Sequence, residues 1–497
     1  MPRPRGSTIF FFVVAVLASA PAWIVRYPPL QDLPFHLAAM RVIHSHGDPA
    51  YGLSEHFDLT ILKTQYVLYY LLGSALAYVL GVTKANIVLM SCYLGGTPLA
   101  LRELLLALNK DERLCLLCIP LLVNAMFMFG LLPFVFGIPV MFLGLAACVR
   151  YLDNPTRRRG IILGVLTFAV FYSHIFPFGL FAIGYAVMFP WTDPKRWVRA
   201  IMPALPTLGI FALWLLTPSG KIVRGALNSD PNDVILPLVQ TLHEGYTWLT
   251  DVFKDSTDEA YFIFTIVTAL LAMGLAQGDR DRARPKARYL VALPLVCLFL
   301  FFTQGQSRGV VWLFAQRFAI LSLLTMIPIL RMPTGVRGHA VTLAMLVFAT
   351  GSVVNTCKHF IKFQLEEVGD FDGALAEMKN GKKTAALIFD KLSSTTNWAP
   401  FLHFGSYYQL EHGGVIEFTY ANFAHWPFAF KEDKKPPSGA PPRMRWEWTP
   451  ESVQIQELFP YYDYVLVRGQ GFRPPPGTFH RKWKGDRWEV WERDGKL

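Results

Sequence analysis

The sequence predicts a polytopic α-helical membrane protein of about eleven transmembrane helices, followed by a C-terminal extracytoplasmic α/β domain. Three observations predict it. Hydrophobic types make up 53% of the 497 residues and Asp, Glu, Lys and Arg only 17%, against about 25% charge in soluble domains. A mean hydropathy of +0.33 over such a length exceeds what one anchor of about 20 apolar residues can supply. The net charge of +11 is unevenly placed: from Lys358 onward 19 basic residues meet 18 acidic ones, whereas 28 oppose 18 upstream. The basic excess therefore lies between hydrophobic segments, where positive-inside loops put it, and a nucleic-acid partner is disfavoured.

The first apolar stretch, Thr8 to Val25, follows MPRPRG. Ala18-Ser19-Ala20 resembles a signal-peptide cleavage site, but Pro21 directly after it disfavours cleavage, so the stretch reads as a retained helix with a cytoplasmic N-terminus. Further spans fall near 65–82, 85–107, 113–131, 132–152, 160–190, 199–217, 260–277, 288–304, 310–330 and 338–356. Basic clusters at Arg157–Arg159, Lys195–Arg199, Arg280–Arg288 and Arg331–Arg337 belong on the cytoplasmic side. Counting back from the end, the last three alternate correctly and place the tail outside. The Arg157 cluster fits only if 160–190 is broken near His174 to Pro177, which then requires a recount before Tyr151; both readings stay open. The loops 26–63, 218–259 and 303–309 and the tail share the extracytoplasmic side. This gives a membrane module over 1–356 and a soluble domain over 357–497, in a multi-pass protein of the bacterial inner membrane type.

The tail has an amphipathic helical stretch at Phe363 to Met378, then β-like runs at Thr384–Phe389, Tyr464–Val467 and Trp488–Trp491. Lys431 to Arg445, rich in Lys and Pro, reads as a loop. All six cysteines lie upstream in or beside apolar segments, so no disulfide framework holds the tail. Cys115-x-x-Cys118 has redox or metal spacing but sits in the apolar run LCLLCIPLL without an accompanying His or acid. There is no internal repeat, phosphate-binding Gly-rich loop, HExxH or GxSxG.

The most informative piece is Tyr27-Pro28-Pro29-Leu30-Gln31-Asp32-Leu33-Pro34-Phe35-His36-Leu37, directly after the first span. It sets an acid at the extracytoplasmic mouth of helix 1, before a helix whose Leu33, Leu37 and Met40 share one face, as in a helix lying along the membrane. Asp32 also suits an N-cap, with Pro34 in the first turn and the Phe35 N–H as its partner. The two roles are compatible, because a cap bond uses only part of a carboxylate's acceptor capacity.

With its first helix, its acid-bearing loop QDLPFH, its many spans and its external tail, the chain resembles the GT-C superfamily of polyprenyl-phosphate-dependent glycosyltransferases, which includes protein O-mannosyltransferases and the aminoarabinose transferases of lipid A. The resemblance implies transfer of a sugar from a polyprenyl-phosphate carrier in the lipid bilayer to a hydroxyl of a lipid, glycan or protein acceptor. Asp32 would be the base that takes the acceptor proton, and His36, one turn on, would position it or touch a phosphate. These enzymes often carry paired acids in the loop; here Leu33 follows Asp32, which makes Glu55 and Asp58 the candidates for a second acid. No cofactor is implied with certainty. His44, His46 and His56 with Asp48, Glu55 and Asp58 could hold a divalent metal, although their spacing is irregular. The departing lipid phosphate calls for cations, and Arg308, Arg317, Lys221 and Arg224 are the candidates. Arg317, in a helix starting near Val310, would lie about 10 Å inside the boundary. His174 reads as an interhelical hydrogen-bonding group or a supporting one. His403, Tyr407, Tyr408, His412, His425 and Trp426 form either an acceptor-binding stretch or a domain core. Two other classes accommodate the composition, a lipid or sugar transporter and a non-catalytic membrane scaffold. The first calls for paired, broken helices in two similar halves, which the sequence lacks.

Overall fold

The computed structural model describes residues 5–226, 235–276, 286–308, 311–435 and 444–495. The chain forms two compact units, one of Met1–Ile24, Leu89–Phe127 and Pro133–Lys358, the other of Val25–Val88, Met128–Leu132 and His359–Leu497.

The described residues include five helices long and apolar enough to cross a membrane, Leu132–Asp153, Pro194–Trp214, Thr257–Leu275, Lys286–Thr303 and Gly335–Glu366, which lie in the first unit except for Leu132 and the last helix from His359 onward. Leu132–Asp153 is apolar all round and mostly buried, which makes it the central helix of the unit. Its Gly137 permits close approach of a neighbour, since a Cβ there would come within 2.9 Å of Pro177 and Ser173. Ser7–Ala22, Ile175–Met188 and Gln316–Ile329 are shorter apolar helices of the same unit.

Three expectations about the spans change. The stretch 113–131 is not one helix but a 3-10 run, Glu112–Leu121, containing Pro120, and then a four-residue helix, Ala125–Met128. The break is held by Asn124, whose Oδ1 accepts the Met126 and Phe127 N–H groups at 3.0 and 3.3 Å. The stretch 160–190 is two helices, Arg157–Ser173 and Ile175–Met188, separated by extended His174, whose Nδ1 accepts the Phe176 N–H. They form a hairpin. Gly160 near the start of the first lies against Pro203, and Tyr185 near the end of the second donates its hydroxyl to the Ala200 carbonyl. Arg157–Arg159 and Lys195–Arg199 therefore share one end of the unit, as the broken reading requires. Lastly, the span expected from Val310 begins at Gln316, after a small hairpin that pairs Ser307–Arg308 with Val311–Trp312.

The helix Gly335–Glu366, 32 residues and so about 48 Å long, absorbs the start of the expected amphipathic stretch. The rest of that stretch is the separate helix Phe371–Ala376.

The second unit is built on a five-stranded sheet in the order Val415–Ile416, Lys383–Ile388, Tyr464–Arg468, Trp488–Arg493, Phe479–Lys484. The first three strands are parallel and the last two antiparallel to their neighbours. The three β-like runs read from the sequence are strands here. All five residues of Tyr464–Arg468 are buried, as a central strand covered on both faces requires. Ala385, Leu387, Trp446, Leu458, Tyr462, Val465, Val467 and Phe479 form a core.

The loop after the first span is woven into this unit. Its strand Phe57–Leu59 pairs antiparallel with Phe428–Phe430, and its helix Leu33–His44 packs on Ser406–His412 and Leu68–Leu80. Nine of that helix's twelve residues are buried, His36 among them. The expected surface helix with one apolar face is thus an interior helix of the second unit.

Candidate functional site

Asp32 sits in a turn, φ −93° and ψ −1°, and makes no side-chain cap bond. Its backbone carbonyl, not its carboxylate, accepts the Phe35 and His36 N–H groups at 3.1 and 3.3 Å. The cap expected from the sequence is therefore replaced by backbone bonding, which frees the carboxylate to point elsewhere. The turn is pinned from outside, with the Gln31 and Asp32 N–H groups donating to the Met128 and Phe129 carbonyls at 3.0 and 2.9 Å. Gly130 makes this approach possible: its φ is +78°, and a Cβ there would come within 2.9 Å of the Leu33 and Asp32 nitrogens.

The Asp32 carboxylate faces His403. Nδ1 of the ring lies 3.0 Å from Asp32 Oδ1, and Nε2 lies 2.5 Å from Glu447 Oε1. All three residues are buried, at 7%, 4% and 8% exposure. Phe35 lies on one side of the imidazole at 4.0 Å between ring centroids, and Phe418 stacks near it at 5.6 Å. Burial by itself lowers an imidazole pKa; here Glu447 and Asp32 outweigh it and carry His403 up to about 9. The ring is therefore a cation at neutral pH, shared by two carboxylates.

His403 and Glu447 line a small cavity with Phe35, Ser406 and Glu417. Burial pushes the Glu417 carboxyl up to about 8, although the Ala386 N–H, donating to Oε2 at 2.8 Å, works against the shift. Tyr420 stands beside Asp32 in the cluster; burial first, then the nearby carboxylates, hold its phenol well above the usual range.

His36 does not touch Asp32. Nε2 lies 2.7 Å from the Gly130 carbonyl and Nδ1 2.8 Å from the Tyr70 hydroxyl. A carbonyl only accepts, so Nε2 carries the proton and Nδ1 accepts from Tyr70. Burial pushes His36 down to about 4, and the ring is neutral. It supports the site through the Gly130 turn.

Glu55 and Asp58, the expected second acids, are exposed, Asp58 on the strand Phe57–Leu59. The second acid of the cluster is Glu447, reached through His403. Among the described residues no three His, Cys, Asp or Glu side chains converge as a metal site; His46, for one, bonds the Phe57 carbonyl. Of the aromatic and His-rich stretch only His403 reaches Asp32. Tyr407 packs on Tyr27, the Tyr408 hydroxyl accepts the Lys382 N–H, His412 bonds Asn380 and the Leu375 carbonyl, His425 lies beside Tyr66, and Trp426 lies among His36, Tyr70 and Tyr420.

In the first unit, Arg317 stands in the first turn of Gln316–Met326 rather than about 10 Å along a helix from Val310. It is buried, with its guanidinium 4.8 Å from the Phe176 ring centre and 5.6 Å from that of Phe134. His174 contacts the same two rings at 5.4 and 5.5 Å, so the fold gathers two of the predicted residues at one aromatic pair. Lys221 and Arg224 are exposed on the helix Pro218–Ala226. Arg308 is in a strand, and its side chain lies outside the described residues. Cys115 and Cys118 are buried, free thiols.

Glu447 is the member that sequence reasoning missed, because it follows a Lys- and Pro-rich segment read as loop. A signal was present in Trp446-Glu447-Trp448, an acid set between two large apolar rings, and Trp446 is indeed core.

No family model matches the sequence, and no curated protein matches it. Among solved structures, the chain is similar to the crystal structure of ArnT from Cupriavidus metallidurans bound to undecaprenyl phosphate, at 11% sequence identity, over 98% of each chain and with a TM-score of 0.49.

Proposed function

We propose that this chain is an integral-membrane glycosyltransferase that moves a sugar from a polyprenyl-phosphate carrier to an acceptor hydroxyl on the extracytoplasmic side, with Asp32 as general base. The observation that carries the reading is the Asp32 carboxylate, buried, released from helix capping and held against a cationic histidine. In the reaction the acceptor oxygen forms a bond to the anomeric carbon and its proton passes to Asp32. The bond from that carbon to the phosphate oxygen breaks, and its electron pair leaves with the polyprenyl phosphate. The donor class rests on the resemblance of the QDLPFH loop and the span arrangement; the apolar helices supply the membrane setting. Arg317, Lys221, Arg224 and Arg308 remain the proposed phosphate-binding cations.

The test is reconstitution of the full chain in lipid vesicles with a panel of undecaprenyl-phosphoryl hexoses, scoring release of undecaprenyl phosphate. Release by the parent that is lost in Asp32→Asn supports the reading, and release at the parental rate by that variant overturns it. The orientation is tested separately in intact cells. A membrane-impermeant thiol reagent should label a cysteine placed at Lys435 and spare one at Lys286; the reverse pattern would put Asp32 on the wrong side.

A further inference from the structure

We infer that His403 and Glu447 form an imidazolium clamp that aims the Asp32 carboxylate, so that the base is positioned by the tail segment and not by its own helix. The inference rests on the reading of Asp32 as the base and assigns positioning roles to two residues which do not themselves meet the substrate.

The geometry carries it in three steps. Asp32 lacks the cap bond that would fix its side chain locally. Both ring nitrogens of His403 face carboxylate oxygens, at 3.0 and 2.5 Å. Nε2 hydrogen-bonds Glu447, whereas Nδ1 and Asp32 Oδ1 are 3.0 Å apart as an ion pair outside hydrogen-bond geometry; a neutral ring with its proton on Nε2 would set a lone pair against that carboxylate oxygen, and the imidazolium sets a positive charge there. Phe35 and Phe418 pack against the ring and against each other, at 4.0, 5.6 and 5.5 Å between centroids. The arrangement is intact only while His403 is charged, and Glu447 is the group that keeps it so from the far side.

Every titratable neighbour can be placed. Asp32 approaches from the turn before Leu33–His44, and Glu447 from the short helix Met444–Trp448. Glu417, after the strand Val415–Ile416, lines the cavity and is largely protonated below about 8. His36 is neutral, and the Tyr420 phenol stays protonated beside Asp32. Glu447 and Asp32 dominate the field at the ring. No proton is transferred through His403; the acceptor's proton goes to Asp32 alone.

The experiment measures the rate of undecaprenyl phosphate release against pH for the full chain in vesicles. Glu447→Gln keeps a carbonyl acceptor for the Nε2 proton and removes the charge. Its alkaline limb should move down by about one pH unit or more, with KM for the donor unchanged and kcat restored near pH 6. His403→Gln should lower kcat about tenfold or more at all pH values, again at constant KM. A residue that only supports folding would reduce the amount of active protein and leave the limb in place, and an unshifted limb in Glu447→Gln overturns the clamp. Where Asp32→Asn is inactive and the limb is unshifted, the clamp fails and the base stands; where Asp32→Asn is fully active, the base reading fails. Side-chain 15N NMR of the histidines in the parent provides a readout independent of turnover. At pH 7.5 His403 should have both ring nitrogens protonated, and a neutral ring overturns the proposal.

Discussion

Two buried cations are held in different ways, His403 in the second unit by two carboxylates and Arg317 in the first against two aromatic faces. The carboxylate-held cation is conditional, because the same carboxylates that stabilise the charged ring can be protonated and the ring itself can lose its proton. A guanidinium stays charged at any accessible pH, and a ring face offers it a quadrupole with no titration of its own. The first arrangement suits a place where protonation state is part of the chemistry. The second suits a fixed charge meant to stay where the chain puts it.

The largest effect expected from breaking this contrast is at Asp32. Asp32→Asn and Asp32→Ala should both lower transfer by about 10² to 10⁴, the usual contribution of a general base. Since the carboxylate makes no cap bond, alanine should carry no capping penalty relative to asparagine. Equal inactivity with similar melting points is the expected pair of results. A variant at which alanine alone melts lower by the typical cap value of about 1 kcal/mol would restore the capping role.

The next effect is on stability against pH. His403 titrates near 6.5 when unfolded and at about 9 in the fold. A raised histidine pKa contributes stability that is complete below pH 6.5 and is lost as pH rises through 9. Melting temperatures of the parent should therefore fall between pH 7 and 10, and those of His403→Gln should fall less over the same interval. Parallel curves would mean that the ring's charge does not stabilise the unit.

At Arg317 the comparison is sharpened by a double-mutant cycle with Phe176. Each replacement by Leu removes one partner of the contact, and the coupling expected of a cation–π pair is about 0.5–2 kcal/mol. Coupling indistinguishable from zero would leave Arg317 held by something other than that ring.

How much of this was legible in the sequence differs between the same two regions. Hydropathy located the apolar helices because lipid-facing residues impose their composition locally, and the β-branched runs marked three of the five strands of the tail's sheet. Asp32 and His403 were both singled out. Their meeting was not legible, because it joins residues far apart in the chain through a helix that local patterning assigned to the membrane surface. The helix Leu33–His44 is apolar enough for that assignment, and only the tail strands and the Ser406–His412 helix show that its other faces are covered as well. Asp32 looked like a cap because the local sequence allows one; the Gly130 turn decides otherwise, and nothing near Asp32 in the sequence announces it. At His174 the converse holds: a break near His174 to Pro177 was one of two readings the Arg157 cluster left open, and the fold contains it.

The smallest effect separates the two acids beside the imidazole. Glu447 is tied to His403 and should be costly to neutralise, whereas Glu417 lines the same cavity with a carboxyl that burial keeps protonated up to about 8. A carboxyl raised in the fold costs stability once pH exceeds its unfolded value near 4.3, because the folded state resists its ionisation, and the cost grows until pH passes the folded value. Glu417→Gln retains a carbonyl for the Ala386 N–H and removes the titration. It should melt close to the parent at pH 4.5 and slightly above it at pH 8.5, by the few degrees that about 1 kcal/mol represents. Glu447→Gln should instead melt below the parent, most near pH 6.5, where the raised histidine contributes fully, and less as pH approaches 9. If both variants shift in the same direction at pH 8.5, the two carboxyls are equivalent supports of the imidazolium, and the clamp has three members instead of two.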